Sequence, residues 1–127
     1  MLDLEGRNII VTRGNILPLT IGALNKNGSR YKFNIDDVLR FKITEAKKVD
    51  KVLFQKDFTA SEASTDMDIT LTAEEMKIGP LSSKPIDYWY EVELNPDTEN
   101  TQTIIGYSKI EGPAILTILP EGGDKSD

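Results

Sequence analysis

The chain is 127 residues long, carries a formal net charge of −6, and contains neither cysteine nor histidine. That length suits one domain, able to bury roughly two-thirds of the surface its unfolded form exposes without metal or disulfide staples. The two missing residue types exclude disulfides, thiol nucleophiles, zinc–thiolate and iron–sulfur sites, Ser-His-Asp triads and imidazole metal ligands. The acidic balance, with Lys47, Lys48 and Lys51 set among acids, provides no basic patch for nucleic acid. The opening Met1-Leu2-Asp3-Leu4-Glu5-Gly6-Arg7 is too acidic for a secretory signal, and no run approaches the ~20 apolar residues of a membrane span. The expectation is a soluble protein made in a cytoplasm, with no nucleic acid and no membrane among its partners.

Alternation of apolar and polar residues, the mark of a half-buried strand, recurs along the chain. Residues 9–12 and 17–24 form the first candidate strands. Asn25-Lys26-Asn27-Gly28 then supplies positions that tolerate positive φ, closing an expected hairpin between 17–24 and a short strand at 31–33. Leu39, Phe41 and Ile43 alternate with Arg40, Lys42 and Thr44; residues 52–58 are a weaker candidate; Met67, Ile69 and Leu71 alternate with Asp68 and Thr70. A short corner helix is predicted at 73–77, where Thr72 and Glu75 stand in capping-box relation and Ile78-Gly79-Pro80 stops it within about a turn or two. The strongest strand is Tyr88-Trp89-Tyr90-Glu91-Val92-Glu93-Leu94, with Tyr88, Tyr90, Val92 and Leu94 on one face and Trp89, Glu91 and Glu93 on the other. Asn95-Pro96-Asp97 ends it. Strands at 103–110 and 114–119 follow. Residues 121–127 read as a disordered acidic tail, which leaves residues 1–120 as a single domain.

Seven or so short strands, one corner helix and one core predict an all-β, immunoglobulin-like antiparallel β-sandwich. Its expected core is Leu39, Phe41, Ile43, Phe54, Ile69, Leu71, Tyr88, Tyr90, Val92 and Leu94. The order of motifs carries a resemblance: Val11-Thr12-Arg13-Gly14-Asn15, the Asn27-Gly28 turn, Val38-Leu39-Arg40-Phe41-Lys42-Ile43, Asp68-Ile69-Thr70-Leu71, a short acidic turn, the aromatic strand, and Gly112-Pro113-Ala114-Ile115-Leu116-Thr117-Ile118-Leu119-Pro120. It resembles the immunoglobulin-like N-terminal domain of siphophage upper baseplate proteins and related small prophage tail proteins, over residues 9–120. The segment 77–85 is longer than that pattern has, which marks it as a loop insertion, and no fibre-like region follows Pro120, which points to a stand-alone module. The resemblance implies a virion structural protein of tail or baseplate, made in the bacterial host cytoplasm, that acts through contacts with other virion proteins and brings no catalytic, cofactor or metal residues.

Chemistry read from the residues themselves is sparse. Glu91 and Glu93 stand about 7 Å apart along one strand face, inside the range glycoside hydrolysis uses. The same spacing describes any solvated strand face. Asp66 and Asp68 are candidate calcium ligands, yet Asp-Met-Asp lacks the glycine turn and terminal bidentate acid of a dedicated loop. The expectation is therefore no enzyme and no cofactor. Trp89 is the candidate binding residue, read in three ways: covered by the 77–85 segment, anchoring a protein interface, or stacking on a sugar as in a carbohydrate-binding or adhesin-like module. Residues 114–119 are apolar on both sides, with Leu116 and Ile118 on one and Ile115 and Leu119 on the other. This strand either pairs internally or forms an edge used for homo-oligomer contacts, which makes Trp89, Leu116, Ile118 and Leu119 the candidate interface.

Overall fold

Because side chains in a strand alternate between faces, the apolar halves of the predicted strands close on each other and leave their polar halves in water. The computed structural model describes residues 3–5, 8–23, 25, 27, 29–105 and 112–121. Nine strands are present among them: β1 (Asp3–Glu5), β2 (Asn8–Thr12), β3 (Leu17–Ile21), β4 (Val38–Glu45), β5 (Lys48–Thr59), β6 (Met67–Leu71), β7 (Ile86–Leu94), β8 (Gln102–Ile105) and β9 (Ile115–Leu119). The protein is all-β. Seven strands form one sheet in the order β1-β2-β9-β7-β4-β5, with β8 also on β7, and β3 and β6 form a second sheet. β9 takes the Ile86–Trp89 end of one edge of β7 and β8 takes the Val92–Leu94 end, so the sheet has a step there.

The two layers share one core. From the large sheet come Ile9, Val11, Leu39, Phe41, Ile43, Tyr88, Tyr90, Val92, Leu94, Leu116 and Ile118; from the small sheet, Leu17, Leu19, Ile21, Met67, Ile69 and Leu71. Phe41 is fully buried and stacks on Tyr90, ring centroids 5.4 Å apart. Two strands cannot cover the inner face of a seven-stranded sheet, and loops complete the second layer. Phe33, Met76 and Ile78 are buried from such loops. The expected core residues all lie in or against this cluster. Phe54 is only partly buried, because β5 is an edge strand with one paired side.

Several expectations are corrected. The large sheet is mixed, since β2 and β9 run parallel (Ile9 opposite Leu116, Thr12 opposite Leu119). Strands so far apart in sequence are free of the hairpin constraint that enforces antiparallel pairing. The expected hairpin between 17–24 and 31–33 forms only at its turn end, where the Tyr31 N–H donates to the Ala23 carbonyl at 2.9 Å; β3 itself pairs antiparallel with β6, Leu17 opposite Leu71 and Ile21 opposite Met67, while Phe33 bridges Ser64. Asn25 and Ser29 do close a tight turn, the Asn25 N–H donating to the Ser29 carbonyl at 2.8 Å. No helix is present among the described residues. The capping box at Thr72 nevertheless forms, with Thr72 N–H on Glu75 Oε1 at 2.8 Å and Glu75 N–H on Thr72 Oγ1 at 3.2 Å. One Met76-to-Thr72 backbone bond follows, and Gly79, at φ 70°, then turns the chain away before Pro80. The result is a single turn that drives Met76 into the core. The short strand β1 and the full length of β5 were not among the expected elements, and residues 106–110 of the strand expected at 103–110, Gly28 of the expected turn, and residues 122–127 of the expected tail lie outside the described residues.

Candidate functional site

The outward half of β7 lies mid-sheet, and its cross-strand neighbours define the solvent face of the large sheet. Trp89 pairs with Ile115 of β9 on one side and Thr44 of β4 on the other, and Thr44 in turn faces Val52 of β5. This row crosses four strands. Trp89 and Ile115 are half-buried, Thr44 is buried between its larger neighbours, and Val52 is 45% exposed. The segment 77–85 meets the other side of β7. Gly79 lies against the hydroxyl of Tyr88, which points into the core, so at that contact the loop covers the inner face and not the face that carries Trp89.

Beside the apolar row lie two rows of charge. Lys42 Nζ stands 3.1 Å from Glu91 and 3.6 Å from Glu93. Partial burial of Lys42 pushes its pKa down and the two carboxylates push it up further, so the net direction is upward. In the next row Arg40 donates to both oxygens of Asp57, at 2.8 and 3.1 Å, and to Asp97 at 3.0 Å. Asp57 is held below the usual carboxylate range chiefly by that guanidinium. Glu91 and Glu93 thus share a lysine as members of a charge ladder. Two basic side chains serve four carboxylates here, which leaves the rows beside Trp89 net acidic.

The remaining acids are dispersed. Asp66 ion-pairs with Arg30, whereas Asp68 accepts from Thr20 Oγ1 at 2.7 Å, so these two carboxylates do not converge. Glu74 pairs with Lys77 and Glu75 with Lys56. Among the described residues no three carboxylates gather as a metal site. Of the candidate interface residues, Trp89 and Leu119 belong to the solvent face, Leu119 opposite Thr12. Leu116 and Ile118 do not: they are 0% and 4% exposed and belong to the core. Nor is β9 an edge, because β2 occupies one side and β7 the other. Its two apolar sides are explained by a central position in the sheet, where a strand has no edge left for a second copy.

Among the described residues the most buried carboxylate is Asp37, half of the adjacent pair Asp36-Asp37 that the sequence offers among its candidate acid pairs. It accepts from Tyr31 Oη at 2.7 Å, Asn34 N–H at 2.9 Å and Asn95 Nδ2 at 3.2 Å. Asn95, at φ 49°, also accepts from Val38 N–H at 2.9 Å and donates its own N–H to the Val38 carbonyl at 2.7 Å. These bonds clamp the start of β4 to the end of β7. Burial pushes Asp37 up, but its hydrogen bonds outweigh that and its pKa falls below the ordinary value; burial and Asp37 together push Tyr31 up to about 12. With its folded pKa depressed, Asp37 adds stability that is fully present above its unfolded pKa of about 3.9 and is lost as pH falls through the folded value. Asp37→Ala is expected to lower stability by about 2 kcal/mol at neutral pH, by stranding three donors. In urea titrations from neutral pH to pH 2, the gap between the two proteins should narrow once Asp37 is protonated; a constant gap refutes the carboxylate's role.

No family model matches the chain, and no curated protein matches it.

Proposed function

We propose that this protein is a non-enzymatic structural component of a tailed phage or prophage particle, of tail or baseplate, that docks onto other virion proteins through the solvent face of its large sheet. The observation that supports the docking face is the row Ile115–Trp89–Thr44–Val52, a largely apolar strip that crosses four strands of the large sheet beside ordered charge rows. A half-buried tryptophan held by a sheet loses little side-chain entropy on binding, and interface hot spots are enriched in tryptophan within a rim that excludes water. The acidic surplus beside it fits a partner surface that carries basic residues. The assignment to phage rests on the order of strand motifs that resembles upper baseplate domains.

Antibodies against the purified domain, applied to particles from an induced lysogen that encodes it, should label tails in electron micrographs; unlabelled particles that also lack the chain by mass spectrometry refute the assignment. In the same host Trp89→Ala should reduce incorporation about 30-fold, the effect of a ~2 kcal/mol hot spot, with an unchanged circular dichroism spectrum. Trp89 is the single tryptophan, so its fluorescence also tests the carbohydrate-binding alternative directly. A saturable change with host cell-wall polysaccharide would favour a glycan-binding module instead.

A further inference from the structure

Asn27 stands in the turn that follows β3, and of the chain's seven asparagines it alone is followed by glycine; the others precede isoleucine, lysine, proline or threonine. A side chain on the next residue crowds that residue's backbone nitrogen, and glycine has none. Asn27 and Ser29 are both exposed, so water reaches them.

The side-chain carbonyl of Asn27 is held from two directions. Its Oδ1 accepts from the Ser29 N–H at 3.0 Å and from the Ser29 hydroxyl at 2.6 Å. That hydroxyl accepts from Asn25 Nδ2 at 3.0 Å, which strengthens its own donation. The bond from the Ser29 N–H closes a ring through the backbone, as in other Asx turns, and the ring contains both Asn27 Cγ and the Gly28 nitrogen. The carbonyl is therefore turned back along the chain toward residue 29 and not out into water. Two donors on its oxygen draw electron density from Cγ, the arrangement that stabilises an oxyanion when such a carbon is attacked.

We propose that this turn is a site of spontaneous modification, at which Asn27 loses ammonia and becomes an aspartyl or isoaspartyl residue. The Gly28 nitrogen gives its proton to water and forms a bond to Asn27 Cγ, while the carbonyl electron pair moves onto Oδ1 between its two donors. Return of that pair breaks the bond from Cγ to Nδ2, which leaves as ammonia with the proton. Water then opens the five-membered succinimide at either of its carbonyls. One opening gives an aspartyl side chain; the other routes the main chain through the former side chain and adds a backbone carbon. Either product adds a negative charge to a chain of net charge −6. The added carbon falls inside the turn spanned by the bonds from Asn25 N–H to the Ser29 carbonyl, at 2.8 Å, and from Tyr31 N–H to the Ala23 carbonyl, at 2.9 Å. Ala23, Asn25 and Tyr31 also line a cleft of about 750 Å³ with Leu94 and Ile104, so isomerisation reshapes one wall of it. The site lies apart from the Trp89 row and does not depend on the virion assignment.

After incubation at neutral pH and digestion, mass spectrometry of the full chain should show conversion of amide to acid at Asn27 ahead of every other asparagine, with both isomers present. In heavy-oxygen water each product should carry one solvent oxygen. Because the turn holds the carbonyl in place, the folded chain should convert faster than a synthetic peptide of residues 23–31. Ser29→Ala keeps the N–H and removes the hydroxyl; it should slow the folded chain about threefold to tenfold, the worth of one hydrogen bond to the developing oxyanion, and leave the peptide's rate unchanged. Asn27→Gln, one carbon too long for the five-membered ring, should abolish the change at this position. The proposal is overturned by an Asn27 that stays intact while the peptide converts, by a folded chain slower than the peptide, by an aspartyl product alone, or by a Ser29→Ala chain that converts as fast as the unmodified one.

Discussion

Phe41→Ala is expected to cost about 4 kcal/mol, the upper part of the range for removing a buried aromatic side chain. Phe41 is 0% exposed, sits mid-strand in β4 with β5 and β7 on either side, and stacks on Tyr90. The surrounding backbone is held by ladders on both sides, so it cannot collapse into the space left behind, and the cavity term adds to the lost transfer energy. A domain of this size has a total stability of about 5–15 kcal/mol, so the variant should unfold at a much lower urea concentration with an unchanged slope. Phe54→Ala, from the partly buried edge strand, should cost clearly less, about 2 kcal/mol. Equal losses at the two positions would mean that the core does not centre on β4 and β7.

The strands that were easiest to read are those with one face in the core and one in water. In β6, β7 and β4 up to Ile43 the alternation is uninterrupted, and it placed Phe41, Ile69 and Tyr90 inward and Trp89 outward. β5 hid most of its length, because an edge strand over a loop can turn Lys56 inward toward Glu75 and still form its ladder. Partner choice was hidden altogether. The alternation in β3 says that Leu17, Leu19 and Ile21 share a face, but not that β6 lies beside them; the local turn joins only Ala23 and Asn25 to Tyr31 and Ser29, and β3 itself runs beside β6. The two-sided apolar character of β9 suits a central strand or a sticky edge equally well, and only the positions of β2 and β7 distinguish them. The outward placement of Trp89 was therefore legible from periodicity alone, whereas the four-strand row that gives it a setting depends on sheet order. Asp37 was visible in the sequence only as half of the acid pair Asp36-Asp37, and its clamping role was not, since that role comes from donors that lie both near it in sequence and across the fold.

The second large effect concerns a residue with no side chain. Gly79→Ala should destabilise the protein by about 3 kcal/mol, made of two separable parts. Gly79 has φ 70°, a left-handed conformation that costs a residue with a Cβ about 1–2 kcal/mol. In addition, a Cβ there would lie 1.9 Å from Tyr88 Oη and 3.0 Å from its Cζ. Tyr88 cannot withdraw freely, since its ring is 5% exposed within the core, and the loop cannot lift freely either, since the Gly79 carbonyl accepts from Arg13 at 3.1 Å. Arg13 also ion-pairs with Glu121, so a displaced loop would disturb the turn after β2 and the chain beyond β9 together. The two parts separate in a double-mutant cycle. Tyr88→Phe removes the oxygen that clashes but leaves the backbone requirement, so in that background Gly79→Ala should cost only the conformational part, about 1–2 kcal/mol. A coupling energy of about 1 kcal/mol or more between the two positions would identify the Tyr88 hydroxyl as the reason glycine is needed at the turn beside β7; strict additivity would leave backbone conformation as the whole cause.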